Sequence, residues 1–195
     1  MSCYRTLKAG VFVVATVVPA AAASAGSVTG SLKVSGSAEA QRTVVYIETM
    51  PEGSFSPPGS LARLSQRGAI FNPGVLPVVQ GTRVDLTNDD WVAHNVFSKS
   101  AVKTFDLGLY AQDQAKVLTF ERVGPVPVFC SIHPRMNAVI LVLQNPYFTR
   151  PSADGSFTLP NVPAGEWKLR VYRPGLDKDP VSVKVPARGS VPVEL

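Results

Sequence analysis

Histidine and cysteine are among the scarcest residues of this chain, two of each in 195. Cys3 lies close to the amino terminus, which leaves Cys130 alone in the body of the protein. One cysteine cannot close an intramolecular bridge, so a disulfide scaffold is excluded. Two histidines, His94 and His133, suffice for one imidazole-based centre and not for two. Also missing is any run of arginine and lysine, which argues against a nucleic-acid surface. No heptad or P-loop pattern occurs, and sustained helical periodicity is almost absent.

What is present starts with "MSCYRTLK", a short basic head. An apolar stretch, "AGVFVVATVVPAAAA", follows and ends in the small residues "ASA". The stretch is about 15 residues long and contains Pro19, whereas a membrane-spanning helix needs roughly 20 apolar residues. Residues 1–25 therefore read as a signal peptide removed after Ala25, and not as an anchor. The mature protein is expected to be periplasmic or otherwise secreted. Loss of Arg5 and Lys8 leaves 17 basic against 14 acidic side chains, a mild net charge of +3. In such a compartment the Cys130 thiol needs burial or a ligated partner to persist.

Strand signals dominate the remainder. "TRVDLTN" (82–88) alternates, with Val84 and Leu86 on one face, and "EWKLRVY" (166–172) does so through Trp167, Leu169 and Val171. "VSVKV" (181–185) repeats the pattern with three valines. "AVILVL" (138–143) is apolar on both faces, which predicts a strand buried between two layers. Glycine and proline punctuate throughout, in "NPG", "VGPVP", "NVPAG" and "RPG". The fold class is all-β, read as an antiparallel β-sandwich.

"FCSIHPRM" (129–136) closes a valine-rich run and brings Cys130, His133 and Met136 together, two residues apart each. A strand turning into a tight loop restrained by Pro134 can aim such side chains at one point. The other imidazole available is His94. Two imidazoles and a thiolate in a plane, with a weakly held thioether on the axis, form the site typical of electron-transfer copper. Thiolate and thioether suit the cuprous ion and imidazole tolerates both oxidation states. Singly, a cysteine or methionine on an apolar strand is usually core filling. Zinc is a second reading, although methionine is a poor zinc ligand. A cysteine–histidine nucleophile is a third, but no orienting group or oxyanion hole accompanies it.

"NDDWVAHNVFS" followed by "VFCSIHPRM" resembles the cupredoxins, or blue copper proteins, of the plastocyanin and amicyanin kind. The resemblance covers about residues 62–146, including the upstream "AIFNPGVLPVVQGTRVDLTNDD". It implies a Greek-key β-sandwich holding one type 1 copper ion through His94, Cys130, His133 and Met136. Asn95 is implied as the residue that ties the first ligand strand to the cysteine loop. His133 is implied as the ring through which electrons leave, with Pro134 and Arg135 on the same electron-transfer surface. Lys99 and Lys103 are expected to add positive charge nearby and favour a partner with an acidic rim. Both histidines being spent on one site leaves none for an oxygen- or nitrite-binding centre, so the protein reads as a carrier and not an enzyme.

The flanks carry a second resemblance. "SADGSFTLPNVPAGEWKLRVYRPG" (152–175) resembles the carboxypeptidase regulatory-like, transthyretin-related β-sandwich, with turns at Asp154-Gly155 and at Pro163 to Gly165. Phe157, Leu159, Trp167 and Leu169 are expected to face inward. The family's opening strands correspond to "GSVTGSLKV" (26–34) and "RTVVYIE" (42–48), at the other end of the chain. Residues 26–55 and 147–195 then form one sandwich interrupted by the cupredoxin at 62–146. The alternative is a linear order, 26–146 and then 147–195. Chains of this combination resemble proteins labelled methylamine-utilisation or plastocyanin-like. The expected partner is a redox protein (dehydrogenase, cytochrome or oxidase), with neither nucleic acid nor membrane anchor after processing. A copper-binding or storage module, or a β-sandwich interaction protein, remains as the alternative function.

Overall fold

The computed structural model describes residues 24–51 and 55–195, so the expected leader lies outside the described residues except for Ser24 and Ala25. Alternating and doubly apolar stretches become sixteen strands in four sheets, with one short helix among the described residues.

Residues 62–143 build two of the sheets. The first contains β3 (Ala62–Arg67), β4 (Ile70–Asn72), β6 (Thr82–Asn88) and β9 (Ala115–Phe120), in the order β4-β3-β6-β9. Facing it is β5-β11-β10-β7-β8, from β5 (Val75–Val79), β7 (His94–Lys99), β8 (Thr104–Tyr110), β10 (Gly124–Phe129) and β11 (Asn137–Leu143). The core between them holds Leu64, Phe71, Val84, Leu86, Val96, Phe120, Val126 and Val128, and extends to Cys130 and Met136. Full burial of each large aliphatic or aromatic side chain contributes roughly 1.5–3 kcal/mol.

The outer segments supply the other two sheets. β1 (Ala25–Ser31) lies between β13 (Ser156–Pro163) and β16 (Ser190–Glu194). β12 (Phe148–Thr149), β2 (Val44–Ile47), β14 (Gly165–Tyr172) and β15 (Val181–Val185) form the last sheet in that order. Their shared core contains Val28, Val45, Ile47, Phe157, Leu159, Leu169 and Val183, with Trp167 only partly buried at its edge. Trp167 directs its indole N–H to the Pro163 carbonyl at 2.8 Å, which accounts for its place at the rim.

A third cluster joins the two bodies. β11 turns Ala138, Ile140 and Val142 into the first core and Val139, Leu141 and Leu143 the other way. The second set meets Val44 and Tyr46 of β2, with Phe148 and Tyr172. Alternation along a strand thus explains why "AVILVL" carries no polar residue. Polar ties reinforce the seam: Gln144 and Met50 exchange two hydrogen bonds of 2.7 and 2.8 Å, and Arg150 donates to the carbonyls of Gln41 and Val75.

Two features depart from the sequence reading. The sheets are mixed, because β1–β16, β5–β11 and β3–β6 pair in parallel. Each of these pairs joins strands separated by at least one intervening strand that lies in another sheet, which leaves room for the crossover that parallel pairing requires. The helix α1 (Ser37–Gln41) forms where "SAEAQ" offers alanine and straight-chain residues, too few for a periodic pattern.

Candidate metal centre

His94 opens β7 and is fully buried, while Cys130 follows the last residue of β10 and is 5% exposed. The chain then turns sharply. The Met136 N–H donates to the His133 carbonyl at 2.9 Å, and the Cys130 N–H donates to the Met136 carbonyl at 3.3 Å. These two bonds fold "CSIHPRM" into a closed loop before β11 departs. The loop is fastened sideways by Asn95, whose Oδ1 accepts from the Ser131 N–H at 3.0 Å and whose Nδ2 donates to Asp106 at 2.6 Å.

The result is a convergence of three donors. Cys130 Sγ stands 3.9 Å from Nδ1 of His94 and 3.8 Å from Nδ1 of His133. The three ligand atoms lie within 4.8 Å of one another, with the two imidazole rings 4.9 Å apart at 59°. A metal–nitrogen bond of ~2.0–2.1 Å and a metal–sulfur bond of ~2.3 Å, opened to a trigonal angle, span about 3.7–3.8 Å. The two sulfur-to-nitrogen gaps match that span, so Cys130 and the two imidazoles can share a single ion. Met136 is 1% exposed and belongs to the same core as Cys130. His133 is half-buried, whereas Pro134 and Arg135 are exposed.

The structure adds one buried group to those the sequence singled out. Asp90, 5% exposed, accepts a hydrogen bond from Nε2 of His94 at 2.9 Å. Its Oδ2 also accepts from the Ala69 N–H at 2.9 Å, and its Oδ1 from the Trp91 N–H at 3.0 Å. The Ala69 N–H foremost, then the His94 ring, hold the Asp90 carboxyl below the ordinary carboxylate range. Behind it, Asn88 is fully buried, accepts from the Asp90 N–H at 2.9 Å and donates to the carbonyls of Val92 and Tyr110. The available signal was a spacing, an acid four residues before the histidine in "DWVAH".

Of the expected cations, Arg135 stands beside His133 and the two lysines do not. Lys99 ends β7 and pairs opposite Thr104, five residues along the strand from His94, or about 17 Å at strand rise. Lys103 sits over the Phe120 ring at 5.6 Å, in the same far loop, whose Ser100 bonds to Pro125 at the start of β10. Both therefore lie at the end of the sandwich away from Cys130. Arg42, just after α1, takes their place: its guanidinium reaches Asn137 Oδ1 at 3.5 Å and its stem packs over Gly74. A cleft of about 930 Å³ runs between α1, the β3–β4 turn and the ligand loop, lined by Arg42, Ile70, Phe71, His133, Arg135 and Met136 among others. Among the described residues its walls carry two guanidinium groups and no carboxylate. Exposed apolar side chains neighbour the ligands in sequence: Trp91 (87% exposed), Val92, Phe129 and Ile132.

No family model matches the chain, and no curated protein matches it. Among solved structures, the chain is similar to a purple cupredoxin from Nitrosopumilus maritimus, with 26% identity over 42% of this chain and 98% of that one, at a TM-score of 0.39. It is also similar to an amicyanin variant in its reduced Cu(I) form at pH 4, with 21% identity over 52% of this chain and 98% of that one, at a TM-score of 0.41. A second amicyanin variant, in its oxidised form, gives 23% identity over 42% of this chain and 80% of that one, at a TM-score of 0.39.

Proposed function

We propose that the chain is an exported type 1 copper protein that carries single electrons between redox partners. The observation that supports this reading is the donor set: both histidines and the only cysteine of the chain's body meet at one buried point, with Sγ 3.8–3.9 Å from each Nδ1. Those donor types are the ones that hold copper between its two oxidation states. His94, Cys130, His133 and Met136 would hold the ion, and copper would supply a reversible one-electron couple. The protein's part is to keep the four donors in place whichever state is occupied. The closed loop and the Asn95 tie serve that end, since a pre-set geometry leaves little to reorganise when the charge changes.

His133, the ligand ring nearest solvent, is the proposed port. The cleft beside it, with Arg42 and Arg135 and an apolar rim, favours a redox partner presenting an acidic protrusion. Pairing of β1 and β2 with strands from residue 148 onward supports one regulatory-like sandwich interrupted by the copper module. Its proposed role is to wall that cleft. Export rests on the leader pattern; among the described residues, no helix is long and apolar enough to cross a membrane.

Titration of the mature protein with Cu(II), followed by visible and electron paramagnetic resonance spectra, tests the reading. An intense thiolate-to-copper band saturating at one equivalent and bleached by a mild reductant is the expected result. A pale spectrum with ordinary hyperfine coupling would turn the assignment to a copper store or a docking module.

A further inference from the structure

The geometry points to Asp90 as a positioning residue for the metal centre: its carboxylate holds the proton of His94 on Nε2, aims Nδ1 at the site, and places a fixed negative charge one ring away from the ion. This rests on the copper reading of the site above, and it goes beyond the four donors.

Three observations carry it. The Nε2–Oδ2 distance of 2.9 Å joins a fully buried imidazole to a carboxylate that is itself 5% exposed, so water competes little for either. With Nε2 donating to Asp90, the lone pair is left on Nδ1, the nitrogen that faces Cys130 Sγ at 3.9 Å. A histidine that ligates through one nitrogen is commonly fixed through the other by such a second bond, and a carboxylate there makes the ring a stronger donor. Finally, Asp90 is itself held from two directions. Ala69, in the turn between β3 and β4, and Trp91, in the loop before β7, both donate backbone N–H groups to it. The carboxylate therefore stands in place without the ion, and the ring needs no search for its orientation.

The charge has a consequence that a purely structural carboxylate would lack. A negative group hydrogen-bonded to a ligand ring stabilises the higher charge of Cu(II) more than that of Cu(I). The ratio of Cu(II) to Cu(I) affinity is raised by Asp90, and the potential of the couple is lowered.

Two variants and one spectroscopic readout test this. In copper-free protein, a ¹⁵N–¹H correlation spectrum should show a His94 Nε2 proton protected from exchange, and Asp90→Ala should lose that protection. Asp90→Asn keeps an oxygen near the ring and removes the charge. Loaded with copper, it should retain the thiolate band while its Cu(II)/Cu(I) affinity ratio falls by tenfold or more, which is 59 mV upward for each tenfold in a one-electron couple. The proposal is overturned by a wild-type His94 whose Nε2 carries no protected proton. It is equally overturned by an Asp90→Asn protein whose affinity ratio stays within twofold of wild type. Should Asp90→Ala fail to fold, the wild-type spectrum and Asp90→Asn still decide. The copper-free spectrum also separates this proposal from the copper reading: a protected Nε2 proton in a protein that shows no thiolate band would sink the latter alone.

Discussion

Cys130 is where chemistry and packing share one atom. Its sulfur ends a core column and also faces both imidazoles. Replacing Cys130 with Ser removes one polarizable atom and keeps the shape. We expect the intense thiolate band to vanish, with a stability loss of about 1 kcal/mol by urea denaturation. Met136 separates a carrier from a store. In Met136→Leu the buried volume is conserved, so a carrier should keep its ion and show a potential higher by about 60–120 mV in cyclic voltammetry, a ten- to hundredfold change in the affinity ratio. A store should change mainly in affinity. At this scale the scarce donor types were legible because nothing else in the sequence competed for the role. Asp90 was not, since an acid beside another acid in "NDDW" reads as a solvated turn, and only burial against Ala69 distinguishes it.

Strands and turns set the second scale. Gly155 adopts φ +87°, and a Cβ there would stand 1.9 Å from the Leu32 carbonyl oxygen. Leu32 donates its own N–H to Gly155, which makes the approach obligatory. Gly155→Ala should therefore destabilise the flanking sandwich by about 2–4 kcal/mol in thermal unfolding, a cost of both conformation and contact. The Asp154-Gly155 turn was readable as turn chemistry; the close approach of Leu32, more than a hundred positions away, was not. Lys99 and Lys103 were misplaced for a similar reason. Nearness in sequence to His94 hides the length of β7, which carries Lys99 to the opposite rim. Arg42 enters from α1, an element too short to announce itself. Arg42→Glu should slow reduction by an anionic reagent such as hexacyanoferrate(II) by about tenfold at low ionic strength, speed up reduction by a cationic one, and lose both effects in high salt.

At the scale of the molecule, the described residues form a stack of four sheets with three buried seams. Its all-β character followed from alternation and punctuation, whereas the parallel pairs required knowledge of which strands return to which sheet. Two tyrosines report on the stack as it titrates. Burial, first among the causes, pushes Tyr46, in the seam between the bodies, and Tyr110, paired opposite His94, each up to about 12. The folded protein then keeps phenolic protons that the unfolded chain gives up near pH 10. Stability contributed by these groups is full below about pH 10 and falls as pH rises towards 12, by roughly 1.4 kcal/mol per unit for each. Tyr110→Phe should flatten its share of that decline in denaturation curves taken from pH 9 to 12.

The pairing of β1 fixes an order of events during synthesis. Gly30 finds its partner in Phe157, 127 positions later, and Ser31 accepts from the N–H of Leu195. Residues 62–143 have all the strands of their own two sheets long before that. The module with the donor loop can therefore fold while the ribosome is still making the strands that will enclose the first one. Until then β1 travels as an open edge, available to any passing strand, and β13 and β16 are the strands that retire it.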